Sequence, residues 1–183
     1  MVPETMGRRN PLDFLPLRPV RGGFLRPFGC GWFIREFLLG NGPEGSPGID
    51  PNVGACQADI FYHYKRALLR AIALDRATRQ EEQQARREER PISPDKIEEL
   101  TKRYLARTPY KVNSCRYHSF VVYFSNLQRL GWVQFTGREQ PSSLQDNYAA
   151  GQPRKYFRLT AAGRLAGNAA WSNPLFTLYG KEY

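Results

Sequence analysis

The sequence predicts a mainly α protein with one small antiparallel β-hairpin, joined to an irregular Pro/Gly-rich N-terminal arm and a long charged helix. Three observations predict it. Residues 1–56 hold 8 of the 14 prolines and 10 of the 16 glycines, whereas residues 57–90 hold neither. Further on, an apolar helical pattern ends at Gly131 and runs directly into the first of two short β-prone segments. The 183 residues suffice for one ordinary domain with attachments, able to bury a core without disulfides or metals.

The arm, residues 1–56, combines helix-breaking backbone with Phe14, Phe24, Phe28, Trp32, Phe33 and Phe37. Such a segment cannot pair its own backbone groups over long elements, yet it has rings to bury, so it should lie across a larger surface, its own or a partner's. Within it only Trp32 to Leu39 reads as a short helix, closed by Gly40.

The first helix, 57–90, changes character midway. Ile60, Phe61, Tyr64, Leu68 and Ile72 recur at three- and four-residue steps and should pack on a core. From Asp75 to Arg90 the only apolar residues are Ala77 and Ala85, so this half is expected to be a solvated, charged extension, with a partner-binding helix as the alternative, rather than a coiled-coil seam. Pro91 ends it. Ser93 and Pro94 then open a second helix to about Arg107, with Ile97, Leu100, Tyr104 and Leu105 as its expected buried stripe. After Pro109, Asn113 or Ser114 can cap a third helix through Tyr117, Phe120, Val121, Phe124, Leu127 and Leu130, stopped by Gly131. Trp132–Phe135 and Lys155–Leu159 are the expected strands of a hairpin with a long tip, and Thr160 caps a short helix after it.

The segment Phe124-Ser125-Asn126-Leu127-Gln128-Arg129-Leu130-Gly131-Trp132-Val133 resembles a recognition helix passing into a wing strand. The segment Lys155-Tyr156-Phe157-Arg158-Leu159-Thr160-Ala161-Ala162-Gly163-Arg164 is similar to a second wing strand and the helix after it. With Ile97 to Leu105 as second helix, residues 93–168 resemble the winged helix-turn-helix superfamily of MarR-, PadR- and ArsR-like regulators. The resemblance implies a winged-helix domain over 57–168 with a tail at 169–183. It also implies a wing over Thr136–Pro153, carrying Arg138, Gln140, Gln145 and Asn147, and regulators of this kind often pair through terminal helices, which leaves a homodimer open.

Charge points the same way. Lys plus Arg total 27 against 17 Asp plus Glu, a formal net charge of +10. Between Lys102 and Arg164 eleven basic residues face only Glu139 and Asp146, whereas residues 1–56 are nearly neutral. Phosphate binding requires such a local excess. On the third helix, with the core positions turned inward, His118, Ser119, Val122, Tyr123, Asn126 and Arg129 form the expected outer face. Ser119, Asn126 and Arg129 can hydrogen-bond bases or phosphates, Tyr123 can touch either, and Lys111, Arg116, Arg138, Arg154, Lys155 and Arg158 supply further basic contacts.

Other chemistries find little footing. Cys115-x-x-His118, with Cys30, Cys56 and His63 scattered, lacks the paired spacings of a zinc site, and no metal or cofactor is expected. The Gly-rich run 21–31 lacks the Lys-Ser/Thr ending of a phosphate-binding loop, and no carboxylate pair sits where burial would tune it, so no enzyme is expected. No segment has the length or hydrophobicity of a signal peptide or membrane span, and three scattered cysteines suit a reduced, cytoplasmic protein. The expected function is non-catalytic binding of double-stranded DNA by a small transcriptional regulator or mobile-element protein. The alternative is an adaptor subunit whose winged helix and N-terminal arm contact a protein partner.

Overall fold

A computed structural model describes residues 19–20, 24–25, 28–108, 116–140 and 153–180. Its elements, in chain order, are β1 (Pro19–Val20), β2 (Phe24–Leu25), α1 (Cys30–Leu38), β3 (Ala55–Cys56), α2 (Gln57–Arg87), α3 (Pro94–Arg107), α4 (Tyr117–Arg129), β4 (Val133–Gln140), β5 (Arg154–Leu159), α5 (Ala161–Leu165), α6 (Asn168–Ser172) and α7 (Pro174–Tyr179). The protein is thus mainly helical with a small antiparallel sheet. It divides into two compact units, a helical unit of residues 1–28 and 65–114 and a sheet unit of residues 29–64 and 115–183. This division cuts across the boundaries expected at 56/57 and 168/169.

In the sheet unit, α1 buries Trp32, Phe33, Ile34, Phe37 and Leu38 because Phe33/Phe37 and Ile34/Leu38 repeat at four residues and share a face. Phe33 lies 5.2 Å from the Tyr64 ring and Phe37 5.4 Å from His63. The short helix expected at Trp32 to Leu39 is thus present as residues 30–38, and the surface it lies across belongs to its own chain. Two residues, Ala55 and Cys56, then add a third strand that the hairpin reading did not contain. The sheet order is β3-β5-β4, with Ala55 opposite Phe157 and Cys56 opposite Tyr156. Gly54 permits this pairing, since its φ is +74° and a Cβ there would collide with the Phe157 carbonyl.

The β4–β5 ladder sets Val133 opposite Leu159 and Phe135 opposite Phe157, then slips before Glu139 pairs with Lys155. The extra backbone bulges at Gly137, whose φ is +84°. Strand β4 is longer than expected, so residues 136–140 belong to the ladder, and 141–152, with Gln145 and Asn147, lie outside the described residues. Helix α4 covers the sheet through Phe120, Phe124 and Leu127, with Phe124 edge-on to Phe157 at 5.1 Å. Each such fully buried side chain contributes about 1.5–3 kcal/mol. The helix begins at Arg116 without a side-chain cap, and the expected caps Asn113 and Ser114 lie outside the described residues.

The C-terminal residues are core, not tail. Trp171 on α6 is buried 4.8 Å from the Trp132 ring, and its Nε1 donates to the Gly163 carbonyl at 3.0 Å. Thr160 caps α5 by accepting from the Gly163 amide, and Asn173 caps α7 by accepting from the Phe176 amide.

In the helical unit, α2 runs to Arg87 and ends in a turn where Glu89 adopts a left-handed φ of +50° and the Arg90 amide reaches back to the Ala85 carbonyl. The half expected to be wholly solvated has a buried stripe after all: Ala77, Glu81 and Ala85, at steps of four. Glu81, fully buried, accepts from Arg90 through Nη1 and Nη2 and from the Ser93 amide. Ser93 caps α3 as expected, accepting from the Lys96 amide. The expected burial of Ile97, Leu100, Tyr104 and Leu105 does not occur: no α3 residue is buried, and Leu105 is 39% exposed. Ile97, Leu100 and Tyr104 are half-buried, and Leu105, about 100° around the helix from Tyr104, falls at the exposed edge of their stripe.

Candidate nucleic-acid interface

The hairpin presents two chemically different faces. Directly paired residues share a face, so Val133, Phe157 and Leu159 point to the core while Gln134 with Arg158, and Gln140 with Arg154, lie on the other side. On that outer face the Arg138 guanidinium sits 4.6 Å from the centre of the Tyr156 ring. The Tyr156 hydroxyl donates to Gln140 Oε1 at 2.7 Å, and Thr136 accepts from the Arg138 amide at 3.2 Å. A ring held by its hydroxyl and a guanidinium resting on it form a pre-ordered cation, which makes no ion pair among the described residues. Gln140 was expected as a wing residue, whereas Tyr156 and Gln134 were not among the site residues named from sequence. Alternation along β5 was the available signal.

The other basic residues divide by how far they are committed. Arg116 is exposed at the start of α4, and Lys155 is exposed with its ammonium 5.7 Å from the Phe135 ring. Arg158 is half-buried. Arg154, 27% exposed, lies 3.9 Å from Asp59 in the first turn of α2. Arg129 donates to the Tyr179 hydroxyl at 2.8 Å. The guanidinium carbon lies 5.6 Å from that ring's centre, so a cation–π contact accompanies the hydrogen bond. Lys111 lies outside the described residues.

On α4, His118, Ser119 and Val122 are exposed, as are Ser125 and Gln128, two polar residues that the expected face omitted. Asn126 is half-buried, and so is Tyr123. A Cβ on Gly31 would lie 2.6 Å from the Tyr123 hydroxyl, so this ring reaches back toward α1 instead of pointing outward. The missing side chain at Gly31 makes the room. The outer face of α4 is therefore shifted from Tyr123 and Asn126 toward Ser125 and Gln128, and it is more polar than expected.

The charge excess also redistributes. Of the eleven basic residues counted from 102 to 164, Lys102, Arg103, Arg107 and Lys111 belong to the helical unit, leaving seven in the sheet unit against Glu139 and Asp146. Cys56 is a buried thiol pushed up to about 11, chiefly by desolvation, and it stays protonated at neutral pH. Cys115 lies outside the described residues. Among the described residues no cluster of His, Cys, Asp or Glu is placed to hold a metal ion, and no helix is long and apolar enough to cross a membrane. Set against models of known protein families, curated proteins and solved structures, the chain matches none of them.

Proposed function

We propose that the sheet unit is a winged helix and that the chain binds double-stranded DNA without catalysis, as a small transcriptional regulator or mobile-element protein. What supports the winged-helix reading is the order helix, strand, helix, helix, strand, strand with sheet order β3-β5-β4. The three helices of the motif are then α1, the first turns of α2 and α4. This moves the second helix from residues 97–105, which belong to the helical unit, to residues 57–64. Residues 65–114 become an insertion between the second and third helices.

The observation that carries DNA binding is the outer face of the hairpin, where Arg138 rests on Tyr156 beside Arg158. Docking releases counterions from the phosphates, while α4 offers His118, Ser119, Ser125 and Asn126 to the major groove. Phosphate contacts from Arg116, Arg138 and Arg158 position the module, with Lys155 on the Phe135 side of the hairpin, and the small polar face of α4 gives modest base discrimination.

The test is fluorescence anisotropy of a labelled random-sequence duplex over a range of salt, comparing the parent with Arg116→Glu/Arg138→Glu. Both side chains are exposed, so the variant keeps its core. The parent should bind near 50 mM salt and weaken by about 0.9 log units per neutralised phosphate per log unit of salt, and the variant should lose most of that. Parent binding that the variant retains in full sinks this surface as the docking face. A second reading, an adaptor contacting protein, rests on Val122 and Phe135, which are 50% and 42% exposed beside the same polar groups.

A further inference from the structure

We infer that the helical unit carries a second, separate contact for a nucleic-acid phosphate backbone, formed by the arginine and glutamine face of α2 between Arg76 and Arg87. The inference does not depend on the winged-helix reading of the other unit.

Arg76, Gln80, Gln83 and Arg87 follow one another at steps of four, three and four, and Arg79, Gln83 and Arg86 at four and three. Such steps place both rows on one side of a helix. All six side chains are exposed. The opposite side is the buried stripe of Ala77, Glu81 and Ala85, which fixes the orientation of α2 here.

Two acids of this segment are drawn away from that face, and a third pairs with one of its arginines. Glu81 is buried on Arg90, Glu88 also accepts from Arg90, and Asp75 pairs with Arg79 at 3.0 Å. Glu82 is exposed one turn before Arg86, yet among the described residues Arg76, Arg86 and Arg87 make no ion pair. A helix that merely needs to be solvated intersperses both signs and gains from i,i+4 pairs. Here the sequence supplies five acids between Asp75 and Glu89, and the fold draws two of them, Glu81 and Glu88, onto Arg90.

Helix α3 adds to the same chemistry. Gln80 lines a groove of about 170 Å³ together with Leu100, Arg103, Tyr104 and Arg107. The Tyr104 hydroxyl donates to Gln80 Oε1 at 2.5 Å, which occupies the acceptor of that carboxamide and leaves its NH₂ as a donor. Arg103 and Arg107, one turn apart and exposed, likewise make no ion pair among the described residues.

Charge complementarity selects the occupant. Eleven rises from Arg76 to Arg87 cover about 16 Å at 1.5 Å each, a straight rod of cations. A duplex carries one phosphate per roughly 1.7 Å of axis with both strands counted, a dense array of anions over the same length. Guanidinium groups match phosphate oxygens with paired hydrogen bonds, and the glutamines between them add donors without adding acids. An acidic protein would need carboxylates regularly spaced along such a rod, whereas a phosphodiester backbone supplies regularly spaced anions by its covalent repeat.

The test compares the full-length parent with Arg76→Gln/Arg86→Gln/Arg87→Gln in the same duplex titration. Glutamine keeps the helix propensity of arginine, so circular dichroism should not change. The triple variant should bind more weakly, and its salt slope should fall by about 0.9 per lost contact, up to about 2.7. Glu82→Gln, which removes an acid beside the same face, should bind more tightly than the parent. Loss in the triple variant together with gain in Glu82→Gln supports the contact even where Arg116→Glu/Arg138→Glu leaves binding intact, an outcome that would defeat the hairpin surface alone. Parent affinity and slope in the triple variant, or weakening in Glu82→Gln, overturns it, and the face would then belong to solvent or to an acidic protein.

Discussion

The carboxylate of Glu81 and the guanidinium of Arg90 meet in two hydrogen bonds of 2.5 and 3.1 Å, bridging the end of α2 and the turn that leads to α3. The Ser93 amide supplies a third at 2.9 Å. One side chain thus holds the end of one helix and the start of the next. Chiefly through Arg90, its carboxyl is held down from 4.5 to about 2. A depressed carboxylate stabilises the fold fully above its unfolded value and loses that contribution as pH falls through the folded one. The helical unit should therefore weaken between about pH 4.5 and pH 2. Glu81→Gln should be less stable than the parent in urea at pH 7, with the gap closing near pH 2. A gap that persists unchanged at pH 2 would assign the loss to packing instead.

Glu89 holds a left-handed backbone at the end of α2, where glycine has no Cβ to strain. Glu89→Gly should raise stability by about 1 kcal/mol, the cost of that conformation for an L side chain. The midpoint of chemical denaturation measures it. No gain would mean that the turn relaxes without penalty.

Trp171 is the largest of the fully buried side chains. Trp171→Ala should cost about 3–5 kcal/mol. Trp171→Phe keeps most of the apolar area but leaves the Gly163 carbonyl without its donor, and should cost about 1–3 kcal/mol. Gly163→Ala should also destabilise, since its Cβ would meet the Trp132 carbonyl. Equal losses in the two Trp171 variants would show that the hydrogen bond, not the ring's area, dominates.

Tyr179 occupies Arg129 at the C-terminal end of α4. Because the pair is exposed, its loss should change stability by less than about 1 kcal/mol. On the DNA reading, Tyr179→Phe frees a guanidinium next to the docking face. Duplex affinity should rise and the salt slope should steepen by about 0.9. Weaker binding would mean that Tyr179 positions Arg129 for its contact.

Local chemistry was the readable part of this fold. Ser93-Pro94 set the start of α3, and the spacing of Phe120, Phe124 and Leu127 set the buried side of α4. Strand β3 was not readable, because two residues carry no alternation and their partners in β5 lie about a hundred residues away. Nor was Glu81, whose burial depends on an arginine beyond the turn. The unit boundary at 64/65 falls inside an unbroken helix, where no proline or glycine marks it. At the candidate site, composition located the basic hairpin, but only side-chain packing shows that Arg129 and Arg154 are partly occupied and that Tyr123 turns inward.

The two-piece construction of the sheet unit also sets a timetable for synthesis. At about 5–20 residues per second, a ribosome takes roughly 3–10 s to pass the fifty residues between the unit's segments. During that interval β3 has no β5 to pair with, and the rings of α1 lack most of the sheet and helices of their unit. The helical segment 65–114 emerges entire and is dominated by short-range helical contacts that form within microseconds. A nascent chain halted before residue 154 would hold Trp32, Phe33 and Phe37 without their sheet, and would be the species that chaperones and proteases meet first.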